Sequence, residues 1–369
     1  MYKTIEELVT RVDERNSDGT VSELIGVSID KCFIKSVANT NGTDLSKYKI
    51  IRKNDFAVSL MQVSRDGKIP VARLEEYEEA IMSPAYPIFR VKDKNIILPE
   101  YLEMWFKRPE FDREAAFIAV GGVRGSMPWE EFAKMKLPVP PIEKQRKIVN
   151  AYKIVTDRIA LKQKINDNLL NSVQAIFRSW FVDYDPFDGV CPSNWETGCV
   201  EDIAEFFDSM RKPLSSLERA DTERIYPYYG AVSIVDYVDD YIFDGEYLLV
   251  SEDGIYVVDE NGHPLIQHIS GKFWANNHAH ILKGKAGFNE DSLYLFLANT
   301  NMAPIVTGAA QPKINQANLK SFPITIPDSE TMLKFNNIIQ PFFDQRLTNE
   351  SEIKKLDALQ SLLLTRLVD

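Results

Sequence analysis

The sequence predicts an α+β chain: two β-rich bodies related by a pseudo-twofold and separated by two long antiparallel coiled-coil helices. Three observations predict it. The chain is written twice. Each copy ends in prolines followed by a long stretch without glycine. In those stretches apolar residues recur at alternating spacings of three and four. At 369 residues, two or three domains are expected, at roughly 100–200 residues each.

Each copy opens on the same pattern. Thr4–Asp13 aligns without gaps with Cys199–Asp208, an offset of 195 residues. Ile5/Val200, Leu8/Ile203 and Val12/Phe207 keep helical apolar spacing, so a short amphipathic helix is expected there. A β-rich body follows. In the second copy Tyr247–Val250, Gly254–Val258 and His278–Leu282 read as strands separated by Glu-Asp-Gly and Glu-Asn-Gly turns. Each body then closes on a matching strand. Phe132–Pro140 aligns with Leu319–Pro327 at an offset of 187, which also places Gly121 on Gly308. Met135/Phe322, Leu137/Ile324 and Val139/Ile326 alternate, as a strand requires. The smaller offset gives the first copy eight extra loop residues.

The closing helices come next. No glycine occurs from Ile142 to Val182 or from Asp328 to Val368, and Pro341 is the one proline inside either stretch. A break or kink is expected at Pro341. Ile165, Leu169, Ser172/Val173, Ile176 and Trp180 trace one apolar seam; Ile353, Leu356, Gln360, Leu363 and Leu367 trace the other. A helix of about 40 residues is on the order of 60 Å long, too long to bury its seam against one small body. Pairing of the two helices solves that problem. The expected boundaries are a first body at 1–141, a helix and linker at 142–190, a second body at 191–327 and a distal helix at 328–369.

Charge and composition exclude several classes. The net charge of -11 argues against a polycation that coats nucleic acid. The acidity is uneven: residues 191–327 carry 9 basic and 19 acidic side chains, whereas residues 142–190 carry 8 and 6. Cys32, Cys191 and Cys199 are too few for a disulfide framework or a four-ligand zinc site, so a reducing cytoplasm is expected. No window reaches the ~20 apolar residues of a membrane helix, and the start has no signal-peptide core.

Catalytic signatures are imitated rather than present. Lys283-Gly-Lys-Ala-Gly287 lacks the spacing and hydroxyl of a phosphate-binding loop. Asp183-Tyr-Asp-Pro-Phe187 resembles an amino-methyltransferase motif without its second proline. Pro327-Asp-Ser-Glu-Thr-Met-Leu-Lys334 imitates a nuclease set, but Asp328 and Glu330 at a helix start read as caps. A solitary adenine methyltransferase or nuclease using Asp185 or Asp328 is the alternative reading. All four histidines fall in the second body; His278 and His280 are expected on one face of a strand, with too few neighbours for a metal site. Basic, aromatic and amide residues cluster at turns: Lys47, Arg65, Lys68, Arg124, Lys272 with Trp274, and Gln311 with Lys313. Such side chains read base edges or phosphates, so these are candidate DNA contacts.

Leu137-Pro-Val-Pro-Pro-Ile-Glu-Lys-Gln145 ahead of a long helix, and that helix's end Ala175-Ile-Phe-Arg-Ser-Trp-Phe-Val-Asp-Tyr-Asp-Pro186, resemble the central region of type I restriction–modification specificity (S) subunits. Tyr241–Gly245, Ser251–Gly254, Phe273–His280 and Thr307–Lys313 resemble that family's target-recognition-domain motifs, which adds Asn277, His278 and His280 to the candidate contacts. The first body departs, with Ser83-Pro-Ala-Tyr86 standing where the second has Asn277–His280, and Val120–Arg124 replacing Thr307–Gln311. The resemblance implies two target-recognition domains and no catalysis or cofactor in this chain. It implies double-stranded DNA and two methyltransferase (M) subunits as partners, the latter holding S-adenosylmethionine. Restriction (R) subunits using ATP and Mg would join them, and no membrane is involved. The DNA target would be bipartite, with the helices as a ruler: one helical turn is about 5.4 Å, or roughly 1.5 base pairs.

Overall fold

The computed structural model describes residues 1–369 except 37–42, 62, 121–124, 221–222, 256, 309 and 369. Two compact units divide it: Met1–Lys162 with Ser351–Asp369, and Gln163–Glu350.

The first unit begins with a strand, Tyr2–Thr4, paired antiparallel to Lys136–Pro138. Thr4 and Glu7 form a reciprocal cap on the single helical turn Ile5–Leu8. The expected amphipathic helix stops there. Val9–Val12 is a strand, because its β-branched residues continue straight into a four-stranded sheet with Ile88–Val91, Phe56–Val58 and Val71–Arg73. Helices Pro99–Phe106, Pro109–Ile118 and Trp129–Lys134 pack on it, each following a proline or starting on one. The core they enclose is aromatic: Phe56, Phe89, Phe106, Phe111 and Phe132 are all buried, and Phe56 stacks on Phe89 at 5.2 Å.

The second unit repeats the frame. Glu196–Cys199 pairs with Pro323–Ile326, and Val200–Ile203 is again a single helical turn leading into a strand, Ala204–Phe206. Its sheet is six-stranded, in the order Ala204–Phe206, Ala279–Gly284, Phe243–Ser251, Ile266–Ala275, Tyr226–Tyr229, Ile234–Val238. Gly254–Val258 is not the expected strand. Gly254 has φ +140° and Val257 is buried, and the described residues of the segment form bends instead.

The two long helices run Ile142–Phe181 and Ser329–Thr365. The second continues through Pro341 instead of breaking, flanked by the buried side chains Ile339 and Phe343. Their pairing is antiparallel in each unit. In the first unit Thr156 meets Gln360 at 2.9 Å, while Arg158 and Lys162 meet Glu352 at 2.6 and 2.8 Å. In the second, Asn166 meets Asn349 at 2.7 Å, and Phe177 and Trp180 pack on Phe335.

The first helix buries Val173 of the expected seam and is otherwise displaced from it by one residue. Val173 and Phe177 are its buried residues in the second unit, and Asn166 is the residue in phase with them. Ile165, one residue and about 100° away, is therefore exposed. Leu169, Ile176 and Trp180 are half-buried. On the second helix Ile353, Leu356 and Leu363 are half-buried; Leu367, in the final turn Arg366–Val368, is buried with Leu364 in the first unit's core.

Candidate nucleic-acid interface

Three loops meet at one end of the second unit's sheet. Strand Phe243–Ser251 runs out into Glu252-Asp253-Gly254. The turn Asn276–His278 feeds strand Ala279–Gly284. The segment Thr307–Lys313 folds back on itself through Thr307 N–H to Lys313 O (2.9 Å) and the reverse bond (2.8 Å). Gly308 permits this reversal: its φ is +83°, and a β-carbon there would overlap the Gln311 carbonyl. Backbone bonds join the loops, Glu252 N–H to His278 O and Ile314 N–H to Glu252 O, both 2.9 Å.

Beneath the loops lies a charged network. The His280 ring reaches the Asp208 carboxylate through Nδ1 (2.6 Å) and the Ile314 carbonyl through Nε2 (2.8 Å). Asp208 also accepts from Ile281 N–H (2.9 Å) and Gln316 (2.7 Å). Arg211 lies 3.4 Å from Asp208 and donates to Glu252 at 2.6 Å, and Glu252 holds Lys313 at 2.9 Å. Burial pushes both carboxyls up. For Asp208 the bond and charge of His280 outweigh that, and for Glu252 the bonds from Arg211 and Lys313 do, so both end below their ordinary values. Asp208, Glu252 and His280 stand close enough to share an ion. Arg211 and Lys313 already supply positive charge to those carboxylates.

The sequence-selected residues divide by burial. Lys272 is exposed and sits 4.3 Å over the Tyr241 ring. Asn277 and Gln311 are exposed, Lys313 is 44% exposed, and His278 is 48% exposed with Nδ1 at 2.6 Å from Asp253. Two residues are corrected. Trp274 is core: it packs with Tyr228 and Val238, and its indole N–H donates to Lys212 O at 2.6 Å. His280 is fully buried, so it holds the loops from below rather than facing a ligand. His278 and His280 do not share a strand face either, because His278 belongs to the preceding turn. Asp208, Arg211 and Glu252 were missed; Asp208 and Arg211 stand three residues apart, but the bonds that tie them to Glu252 and His280 span 41 to 72 residues.

The described residues of the first unit repeat part of this frame. Met127 N–H donates to Leu60 O at 2.8 Å, in register with Ile314 and Glu252. The pairings Val9↔Val91 and Ala204↔Gly284 set the strand correspondence, which puts Pro87 opposite His280 and Pro84 opposite Asn277. The sequence alignment of Ser83 with Asn277 is therefore one residue early. Arg65 and Lys68 are exposed at the turn Val63–Asp66, Arg65 pairing with Asp66 at 2.8 Å. Ile69, just beyond, donates to Asp112 at 3.0 Å, and Asp112 also holds buried Lys31 at 2.8 Å. Lys47 is exposed but ends the short helical turn Leu45–Lys47, ahead of strand Lys49–Arg52 of another sheet. Arg124 lies outside the described residues.

The alternative catalytic carboxylates are locally engaged. Asp328 caps the second long helix through Thr331, and Asp185 accepts from Ser179 at 2.7 Å. Among the described residues no helix is long and apolar enough to cross a membrane.

Comparison with known proteins gives a consistent result. The family described as type I restriction modification DNA specificity domain matches twice, at residues 23–171 and 192–359. A Haemophilus influenzae protein described as a type I restriction enzyme specificity subunit is 39% identical over 128 residues, covering 35% of this chain and 32% of that protein. The MjaIX specificity subunit of Methanocaldococcus jannaschii is 22% identical over 300 residues, covering 74% of this chain and 69% of its own. The crystal structure of a type I restriction–modification S subunit from M. genitalium shares the fold: its TM-score is 0.58 at 13% identity, covering 100% of this chain and 96% of that one.

Proposed function

The chain belongs to the type I restriction–modification DNA specificity domain family, and on that premise we propose that it reads a bipartite DNA target and recruits M and R subunits to it. Specificity subunits of these systems are non-catalytic. In this reading each β-rich body contacts one half-site through its three loops, and the paired helices set the spacer. S-adenosylmethionine enters with the M subunits, and ATP and Mg with the R subunits; this chain binds none of them. The work is done in the cytoplasm, where the DNA is.

The observation that carries the proposal is the duplication. One family match falls largely on each unit, and both units repeat the backbone bond that ties the chain ahead of the closing strand to the end of a central strand, Met127 N–H to Leu60 O in the first and Ile314 N–H to Glu252 O in the second. Bipartite recognition needs two readers of this kind. The net charge of -11 fits if M subunits supply most phosphate contacts. The test is a body swap. A hybrid carrying a relative's first body, assembled with M subunits, should methylate sites altered in one half only, with the other half and the spacer unchanged. Methylation mapping in which both halves change together would sink the proposal.

A further inference from the structure

We infer that Arg211 is the positioning residue of the second reader, locking the three loops that face the target and so setting that body's base preference. The inference rests on the DNA-reading function proposed above and adds to it a residue that never meets a base.

Arg211 follows the turn Asp208–Met210, and its side chain is only 13% exposed. Its Nε donates to the Asp208 carbonyl at 3.0 Å. Its Nη1 lies 2.6 Å from Glu252 Oε2, 2.6 Å from Ala279 O and 3.4 Å from Asn277 O. One planar guanidinium thus spans the turn that carries Asn277 and His278, and the carboxylate that fixes Lys313. His280 extends the clamp from Asp208 to the end of the third loop at Ile314. A lysine has no fork with which to make these bonds together. Loss of the cation would leave two carboxylates under the loops short of their partner. The exposed groups Asn277, His278 and Lys313 would then lose their fixed spacing. A positional error of this kind degrades base discrimination before it degrades folding.

Among the described residues of the first reader, the partners of this clamp are replaced. Leu60 stands for Glu252, Pro87 for His280 and Trp129 for Gln316. A defect at Arg211 should therefore be confined to one half-site.

The test uses the full chain assembled with its M subunits and a DNA pool with both half-sites randomised. Arg211→Gln should lower discrimination at base pairs of the second half-site by about tenfold or more, with first half-site preference and spacer length unchanged. Arg211→Lys should recover only part of the loss. Lys313→Gln, at the exposed edge of the clamp, should reduce the salt slope by about one and disturb second half-site preference less than Arg211→Gln does. If Arg211→Gln fails to assemble, Glu252→Gln keeps the arginine and its carbonyl bonds and must produce the same half-site-restricted loss. Unchanged second half-site preference in a variant with lowered thermal stability would make Arg211 merely structural and overturn the inference. Selection of no bipartite sequence by the wild-type complex would instead bring down the function, and the positioning role with it.

Discussion

The two bodies share a backbone and differ in what lies under their loops. Ile5 N–H to Met135 O in one is Val200 N–H to Phe322 O in the other, both 3.0 Å. Met127 to Leu60 is repeated as Ile314 to Glu252. Yet the positions that hold Glu252, His280 and Gln316 in the second body hold Leu60, Pro87 and Trp129 in the first. The first body packs that region with aromatic rings, Phe89 against Trp129 and Phe132. The second fills it with ions. Main-chain bonds therefore carry the fold, and the side chains beneath the loops are free to diverge.

The comparison breaks most sharply at the two matching aspartates. Asp208→Ala removes a buried carboxylate that His280, Gln316, Ile281 and Arg211 all face. Breaking a buried charge network from one side costs about 3–5 kcal/mol. Asp13 is 62% exposed; it contacts Arg15 at the surface and reaches buried Lys49 at 3.4 Å, whose Nζ also donates to Tyr86 O. Asp13→Ala should cost less than Asp208→Ala, because one carbonyl partner of Lys49 remains. Denaturant unfolding of the two variants checks the contrast; equal losses would mean that the ionic layer is no more than surface charge.

Acid and base should also separate the bodies, through two buried carboxyls of opposite sign. In the second, burial first, then Glu246, Asp344 and Glu290, push Asp291 up to about 7. The folded state keeps that proton while the unfolded chain releases it near 3.8, so this contribution is full below 3.8 and lost as pH rises to about 7. Asp291→Asn should gain stability over the parent across that window and hold the gain above it. Neighbouring His268, pushed down to about 4 by burial and Arg346, acts oppositely between about 4 and 6.5, so thermal unfolding above pH 6.5 isolates Asp291. In the first body, burial raises Glu103, but Lys107 and Arg73 more than offset it and leave its carboxyl below 4.5. Its contribution is present above 4.5 and lost in acid. Glu103→Gln should destabilise at pH 7 and approach the parent as pH falls through the lowered value.

Sequence reading reached the frame more easily than the site for a physical reason. Proline placement, glycine-free stretches and the repeat are local or periodic, and they delivered the closing strands, the long helices and their pairing. Val9–Val12 escaped because Ile5, Leu8 and Val12 happen to keep helical spacing while the chain changes from helix to strand after one turn. Ile165 escaped because a seam read without its partner can be one residue out of phase. The clamp under the loops was illegible: Asp208, Arg211, Glu252, His280 and Lys313 come from four separate segments that only the sheet brings together. Trp274 read as a contact because it neighbours Lys272; its packing against Tyr228 and Val238, from strands far off in sequence, shows otherwise.

The smallest effects come from the helix pair, where each unit has its own polar layer. In the second, Asn349 is 2% exposed and donates to Asn166 at 2.7 Å. Asn349→Leu alone strips a half-buried amide of its partner, at a cost of about 1–3 kcal/mol. Adding Asn166→Leu should recover most of that, because two apolar side chains can share the space. In the first unit the layer is ionic and wetter: Arg158, 59% exposed, and Lys162 share Glu352. Glu352→Gln should therefore produce only a slight fall in thermal stability at low salt, and none once salt screens the parent's ion pairs. The contrast sharpens if the Asn349 defect persists at high salt while the Glu352 defect vanishes. Equal salt dependence would mean that both halves of the seam are hydrated alike.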